Sequence, residues 1–564
     1  MKKLKISIKA VFIFMELNEY QKKAIESQSR NILLIAAAGS GKTTVIVHRI
    51  IDMIKNRGIK AKNIIVITFT KKAALNMEER FNRLSDLKEL PFFGTFHSFC
   101  YRILLNENYK IKIISEEEKN KLIRGFVNEI TGKKMPKSKH INKEVYRIDK
   151  VIKMYKSYKE ENSLFDFDDL EDEVIKLFEK ENIRKKYNGK YTHILVDEFQ
   201  DCNDKQIHIL KRFYDSSVFA VGDEDQCIYT FRGSNPEYMV TFEDHFKEGV
   251  KLHLPINYRC SRNIVIMSKN LIKNNKKRNH KDIDYFIDKD GEIKILDHES
   301  DKEVYTFLVE KLKSLCSVNT CGVLVRTNRE IIPILYNLFK HNIVVNVKDD
   351  LSFLDFKIIM DLENLIRLSL DFNDREAFIE LAPYLSKIEK ESILKDNTPL
   401  FNFCKRFSLY KRRRILILWI TVSILGIFDK IKLVKVLKYL PYYNNIIDYN
   451  EIESILLNLN LNNHNLNDIL KFFIYLRSSL YSKKSNITIS TIHGIKGMEY
   501  DEVHILNACE DFLPINRSGT DIEEERRIFY IAITRAKDKL TIHYIKKYME
   551  DEREKSRFLK ELFE

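Results

Sequence analysis

The segment Asn31-Ile-Leu-Leu-Ile35 followed by Ala36-Ala-Ala-Gly-Ser-Gly-Lys-Thr-Thr44 constrains the fold more than any other part of the chain. The apolar run reads as a buried strand. Val45, Ile46, Ile50 and Ile51 then recur at helical spacing. Strand, glycine-containing loop and helix in that order bring backbone N–H groups and a helix N-terminus to one point, which suits a phosphate. Lys42 would reach the β- and γ-phosphates, and the Thr43 hydroxyl would ligate Mg²⁺. Ala38, Gly39, Ser40, Gly41 and Thr44 complete the cradle. Ala36 stands where the general pattern has glycine, so the competing reading is a chance strand-to-helix turn.

A second site answers the first. Asp197-Glu198 follows the apolar run Ile194-Leu-Val196 directly. A carboxylate at the C-terminal end of a parallel strand lies on the same sheet edge as a phosphate loop. Asp197 would then hold Mg²⁺, and Glu198 would take the proton from the attacking water. The alternative is two solvated acids at a strand end. Lys42 and Asp197 are far apart in sequence for a compact nucleotide domain, which calls for an insertion between them.

The rest of the chain supplies that insertion and repeats the plan. Residues 16–30 read as a helix, 63–69 as a strand, 71–84 as a helix and 92–96 as a short strand. Residues 101–190 are Lys/Glu-rich, helical in period and without clear β runs. The sheet pattern resumes at 191–196 and 218–222. After about residue 260 a second α/β unit begins, with strands expected at 292–296, 322–326 and 343–347 and a helix at 330–340. Residues 376–484 are again helical, and strands return at 487–491, 502–506 and 539–543. The expected division is an N-terminal extension, 1–15, with Met15 as a possible true start. A first α/β domain, 16–100 with 191–260, carries the helical insertion 101–190. A second, 261–375 with 485–564, carries the reduced insertion 376–484.

Composition agrees. At roughly 150 residues per domain, 564 residues imply several domains. Sixteen glycines and nine prolines in that length are well below the usual ~7% and ~5%. That excludes collagen-like, linker-like and all-β propeller chains. Lys+Arg 96 against Asp+Glu 81 leaves +15, which favours a polyanionic partner. The eight cysteines contain no C-x-x-C pair, so a zinc or iron–sulfur cage is not expected and a reducing cytoplasm is. The apolar run Ile415–Phe428 is shorter than the ~20 residues a membrane span needs and reads as a buried helix. No membrane partner is expected.

At this point the ordered motifs resemble superfamily 1 helicases of the UvrD/Rep/PcrA type, from about Leu17 to Leu540. Gln21 in Leu17-Asn-Glu-Tyr-Gln is similar to the adenine-reading Q motif. Ala36–Thr43 resembles the family's phosphate loop, Thr68–Ala74 motif Ia, and Gly94–Ser98 motif Ib. Asp197-Glu-Phe-Gln-Asp201 resembles motif II, with Phe199 where tyrosine is usual. Val221–Gly233 resembles motif III, Asn257-Tyr-Arg259 motif IV, Thr491–Glu499 motif V and Glu525–Ala536 motif VI.

The resemblance implies two RecA-like parallel-sheet domains, each interrupted by a mainly helical insertion. It gives Gln226 the sensing of the γ-phosphate and gives Arg259 and Arg535 its stabilisation during transfer. Each arginine alone would read as a surface salt bridge. Tyr258 would stack on adenine and Glu499 would meet the ribose. Phe69, Tyr229 and Phe231 would stack on bases, Phe231 standing where tryptophan is usual; the alternative is core packing. Thr95, His97 and His493 would contact the phosphodiester backbone, or else cap turns. The implied activity is an ATP- and Mg²⁺-dependent 3′-to-5′ translocase or helicase on single-stranded DNA and strand junctions, serving repair, replication or defence. Whether a protein partner, such as a repair or defence nuclease, takes part is left open by the sequence. The short second insertion leaves open a nucleic-acid- or nucleotide-sensing ATPase of an anti-phage system. The sequence runs 29 residues past Arg535, so the C-terminal nuclease of larger relatives is not expected.

Overall fold

The computed structural model describes residues 17–131, 149–315, 319–348, 357–382, 385–408, 466–479, 485–517, 519–548 and 551–564, together with residues 411, 412, 415, 416 and 418. In chain order the first strands are β1 (Asn31–Ala36), β2 (Ile64–Thr68) and β3 (Phe92–Thr95). The short β4 (Lys112–Ile113) and β5 (Leu164–Phe165) follow, then β6 (His193–Val196), β7 (Ser217–Gly222) and β8 (Gly249–Leu254). Six of these form one sheet in the order β3-β2-β6-β7-β1-β8, and every pair is parallel. β1 is buried along its whole length, because apolar side chains on both faces meet helices, as a parallel sheet requires. Separate apolar cores fill the two faces.

Helix Lys42–Lys55 leaves the C-terminal end of β1. Asp197 follows β6. All strands run parallel, so the phosphate loop and the acidic pair share one edge, as the sequence spacing implied.

The second sheet repeats the plan. β9 (Ile256–Ser261) and β10 (Asp284–Ile287) form a two-stranded parallel pair at its border. β11 (Glu292–Ser300), β12 (Cys321–Val325), β13 (Asn346–Val347), β14 (Ile487–Thr491), β15 (Tyr500–Ile505) and β16 (Ala536–Tyr548) build the sheet in the order β11-β16-β15-β12-β14-β13. β17 (Asp551–Glu552) turns back antiparallel onto β16. The fold class is therefore the expected one: mixed α/β with two parallel sheets and helical insertions.

Local differences have local causes. The first helix spans only Glu19–Glu26, because Asn18 closes its start with a reciprocal capping box. The third strand stops at Thr95, whose hydroxyl accepts the Ser98 N–H and starts helix Phe96–Asn106, so Phe96 is helical. The strand expected from residue 191 begins at His193. The first insertion holds helices Glu116–Thr131, Asp149–Glu161, Phe167–Glu179 and Glu181–Lys190, but also the β4–β5 pair. The strand expected at 343–347 shrinks to Asn346–Val347, and that at 539–543 lengthens to Ala536–Tyr548.

In the second insertion the described elements are helices, Arg375–Leu381, Lys387–Lys395, Leu400–Cys404 and Leu466–Ser479 among them. Their apolar residues join the core of the second sheet. The extension 1–15 and most of the Ile415–Phe428 run lie outside the described residues. Among the described residues no helix is long and apolar enough to cross a membrane.

Candidate active site

A cleft of about 770 Å³ opens between the two sheets, with the phosphate loop on one wall and Arg535 on the other. The loop's shape depends on two glycines. Gly39 has φ +68° and Gly41 φ +84°, left-handed values that other residues adopt only at a cost. A Cβ on Gly39 would also stand 2.7 Å from the Cβ of Arg259. Arg259 follows Tyr258, whose backbone N–H donates to the Gly39 carbonyl at 3.0 Å. Gln21 Nε2 donates to the Ser40 carbonyl at 3.2 Å. Ser40, Gly41, Lys42, Thr43 and Thr44 line the cleft, while Ala38 is buried behind it.

Lys42 Nζ sits 3.3 Å from Glu198 Oε2. Gln200 Nε2 donates to the same oxygen at 2.5 Å. Glu198 has φ +52°, a strained backbone for a non-glycine residue, and the turn Phe199–Asp201 follows it. Burial opposes ionisation of Glu198, but Lys42 and Lys496 overcome it and hold its carboxyl below the ordinary value. Asp197 shifts the other way, upward, first through burial and then through the charge of Glu198. Two adjacent carboxyls pushed apart in this way suit one anion acting as base and one awaiting a cation.

Asp197 Oδ1 is sealed from solvent and has no hydrogen-bond partner. An orphaned carboxylate oxygen beside a phosphate loop, with the Thr43 hydroxyl in the cleft wall, fits an oxygen-seeking divalent cation.

The opposite wall is cationic. Arg535 is only 1% exposed. Its guanidinium donates to the carbonyls of Ile531 and Met498 at 3.0 and 3.1 Å and to Thr534 Oγ1 at 3.2 Å. Burial first, and Arg259 second, lower its pKa to about 9, so an anion arriving in the cleft would be strongly attracted. Arg259 Nε donates to Glu499 Oε2 at 2.7 Å and Nη1 to the Thr534 carbonyl at 3.2 Å. Glu499 is also 3.1 Å from Lys537. Arg259 thus stands at the seam, its backbone on the phosphate loop and its side chain on the second sheet. Tyr258 accepts from Asn18 Nδ2 at 2.6 Å and lies 4.7 Å, ring to ring, from Phe286. Gln226 lines the cleft, its amide nitrogen bonded to Asp223 Oδ2 at 2.5 Å.

An aromatic cluster forms a second feature. Phe69 and Tyr229 stack at 5.4 Å with their planes 12° apart. Tyr229, Phe231 and His493 approach one another at 6.1–6.2 Å. Phe231 is 55% exposed and Phe69 39%, so neither is core packing. His493 comes from the second sheet and closes the cluster across the seam. Burial, then Arg326, lowers its pKa to about 4, so near neutral pH the ring is uncharged. Thr95 pairs with Thr68, the residue before Phe69, but neither Thr95 nor His97 joins the ring cluster. The Thr95 side chain is committed to capping, and His97 lies 3.5 Å from the buried Glu171 and against Phe167.

Residues 17–137 and 112–247 match the UvrD/REP helicase N-terminal domain, and residues 252–394 and 426–547 the UvrD-like helicase C-terminal domain. This chain belongs to the UvrD-like helicase family. Among relatives, the putative ATP-dependent DNA helicase YjcD of Bacillus subtilis strain 168 is 28% identical over 605 residues, covering 94% of this chain and 79% of the relative. The ATP-dependent DNA helicase PcrA of Staphylococcus aureus strain Mu50 is 27% identical, covering 97% and 86%. The ATP-dependent DNA helicase Rep of Buchnera aphidicola subsp. Acyrthosiphon pisum is 26% identical, covering 94% and 95%.

Several cations of this UvrD-like chain escaped sequence reasoning as site residues, Lys289 in the cleft lining among them. Arg80 lines the cleft and donates to Thr44 Oγ1 at 2.7 Å. Lys537 lines the same cleft beside Glu499. Lys496 lies 2.5 Å from Asp201 and 5.0 Å from the Tyr229 ring centroid. Lys496 falls inside the Thr491–Glu499 block, which was a usable signal. Arg80 is a basic residue on an amphipathic helix and carried none.

Proposed function

We propose that this UvrD-like protein is an ATP-dependent DNA helicase that moves 3′ to 5′ on single-stranded DNA and opens duplex at strand junctions. One observation carries the reading: Lys42 and Arg535 face one cleft from opposite sheets. Groups so far apart in sequence can act on one triphosphate only if two lobes close over it, and hydrolysis then releases the closure. The names of the relatives, all ATP-dependent DNA helicases, support the same activity.

In this reading the phosphate loop and Lys42 bind the triphosphate. Gln21 and Tyr258 hold the adenine, and Glu499 meets the ribose after releasing Arg259. Thr43 and Asp197 would hold Mg²⁺, which supplies charge neutralisation at the phosphates. Glu198 accepts the proton from the attacking water. Arg259, Arg535 and Gln226 meet the γ-phosphate as its charge spreads during transfer. Phe69, Tyr229 and Phe231 stack on bases, and Thr95, His97 and His493 contact the strand. The division into domains at 16–100 with 191–260 and 261–375 with 485–564, interrupted at 101–190 and 376–484, belongs to the same proposal. Work in the cytoplasm, in repair, replication or defence, is consistent with it.

Strand displacement on duplexes with a 3′ or a 5′ single-stranded tail tests the proposal. ATP-dependent opening of the 3′-tailed substrate alone is expected. Opening only from a 5′ tail would reverse the polarity. ATP hydrolysis without opening of either would leave a non-unwinding ATPase.

A further inference from the structure

Directly behind Gln226 lies an ionic cluster with no part in the chemistry described so far. Asp223, Glu224 and Asp225 are consecutive acids, and all three are buried. Adjacent buried carboxylates repel one another and lose hydration, so they persist only against well-placed cations. Those cations come from the far side of the seam. The stretch between helix Arg262–Ile272 and β10 carries Arg278 and Lys281. Arg278 grips Asp225 with two N–H groups at 3.0 and 2.8 Å. Lys281 Nζ stands at the centre, 2.5 Å from Asp223 Oδ1, 3.1 Å from Glu224 Oε2 and 3.0 Å from Asp225 Oδ2. The Asn279 backbone N–H donates to Glu224 Oε1 at 2.8 Å.

One hydrogen bond joins this cluster to the cleft. Gln226 Nε2 donates to Asp223 Oδ2, the partner of the oxygen that takes Lys281. A carboxylate held on both oxygens cannot turn about its own axis. The Gln226 amide is therefore fixed, with one N–H committed and its oxygen and second N–H left for a ligand. Packing alone would not call for this arrangement, since apolar residues of similar volume are often at least as stabilising as a buried ion cluster.

We infer that Lys281 is a positioning residue for ATP hydrolysis. Acting through Asp223, it sets the orientation of the Gln226 amide and ties that amide to the second lobe. The inference rests on the reading of the cleft as an ATP site. Arg278 holds Asp225 and balances its charge. Because Lys281 belongs to the second lobe, lobe closure moves the cation that sets Gln226.

Removing Lys281 alone would strand three acids beside one arginine and threaten folding. The informative protein is the full-length double variant Lys281→Met/Glu224→Gln, which keeps the wild-type net charge of the cluster. It is compared with Lys281→Arg, Asp223→Asn and Lys42→Ala. The readouts are single-stranded-DNA-stimulated kcat, the affinity for fluorescent ADP, and the affinity for a non-hydrolysable ATP analogue. The double variant is expected to lose about 10- to 100-fold in kcat. Its ADP affinity should stay within about 2-fold while its preference for the ATP analogue over ADP collapses. Lys281→Arg should recover most of both. Asp223→Asn, which keeps the lysine, should follow the double variant, and decides the matter if the double variant does not fold. Wild-type kcat and analogue preference in these variants would overturn the inference. So would a parallel loss of ADP and analogue affinity, the mark of a structural role only. Unchanged hydrolysis in Lys42→Ala would instead overturn the ATP-site reading itself.

Discussion

Lys496, on the segment after β14, reaches across the seam to Asp201, Nζ to Oδ2 at 2.5 Å. Asp201 closes the short turn that begins at the acidic pair. The same ammonium lies over the Tyr229 ring, and its charge is among those that keep Glu198 ionised. One buried cation thus touches the stacking cluster and, through charge, the proposed general base. A strand that displaces the Phe69–Tyr229 stack must alter the surroundings of Lys496. In the proposed reading this gives DNA binding a physical route to the cleft assigned to ATP.

Lys496→Met should therefore weaken the response of hydrolysis to DNA more than hydrolysis itself. The ratio of ATPase rates with and without single-stranded DNA should fall at least about 10-fold, while ADP binding stays near wild type. The rates are read by phosphate release at saturating oligonucleotide. An unchanged ratio would show that the ion pair merely joins the lobes.

Arg535→Ala should separate binding from chemistry. Its guanidinium already has three protein acceptors, so removing it leaves some backbone carbonyls short of a donor and a modest loss of stability. A cation acting on the transferring phosphate is worth about 10³–10⁵ in rate. Hydrolysis should fall by at least 10²-fold with ATP-analogue affinity within a few-fold, measured by single turnover and equilibrium titration. Equal loss of both, with a lowered melting temperature, would point to collapse of the cleft wall.

The parts of the site legible in the sequence are those whose chemistry demands neighbours along the chain. A phosphate cradle needs a strand, left-handed glycines and a lysine–threonine pair at a helix start. All lie within Asn31–Thr44. Asp197 and Glu198 were legible because they end an apolar strand. Lys281 and Arg80 were not. Each is one of 96 basic residues, and its role arises only where the fold brings it to Asp223 or Thr44. Strands at sheet borders were also missed. β8 alternates weakly in burial along the sheet edge, and β4 and β5 are two residues each, too short for any period. His97 was legible only through the resemblance of Gly94–Ser98 to motif Ib, and its pairing with Glu171 depends on the insertion helix Phe167–Glu179 and had no local signal.

The aromatic cluster predicts graded losses of DNA affinity. Base stacking is worth about 1–3 kcal/mol per base. Tyr229→Ala removes the ring shared by Phe69, Phe231 and His493 and should weaken single-stranded DNA most, by about 10- to 100-fold. Phe231→Ala should cost less, and Phe231→Trp should tighten binding through added ring area. Fluorescence anisotropy with a labelled oligo(dT) at fixed salt checks the order. Equal small losses for all three would mean that the strand runs elsewhere.

Part of the acid sensitivity should come from the second sheet, beside that of His193 in the first. His298, His543 and His504 form a buried chain across β11, β16 and β15, with ring nitrogens 3.0 Å apart at each step. His504 ends on Glu502 at 3.2 Å, and Lys311 holds the same carboxylate at 2.9 Å. Glu303 lies 3.7 Å from the outer nitrogen of His298, and Phe307 packs on all three rings. Burial lowers the pKa of His298, and burial with the two neighbouring rings lowers that of His543 far more. A histidine whose pKa is lower folded than unfolded keeps its full stabilising effect above the unfolded value of about 6.5. As pH falls below that value the unfolded chain takes up protons that the folded chain refuses, and stability declines. The urea midpoint should therefore drop between pH 7.5 and 5.5, and His543→Leu should flatten the drop even if it lowers the midpoint at pH 7.5. An equally steep decline in His543→Leu would assign the acid sensitivity to other groups.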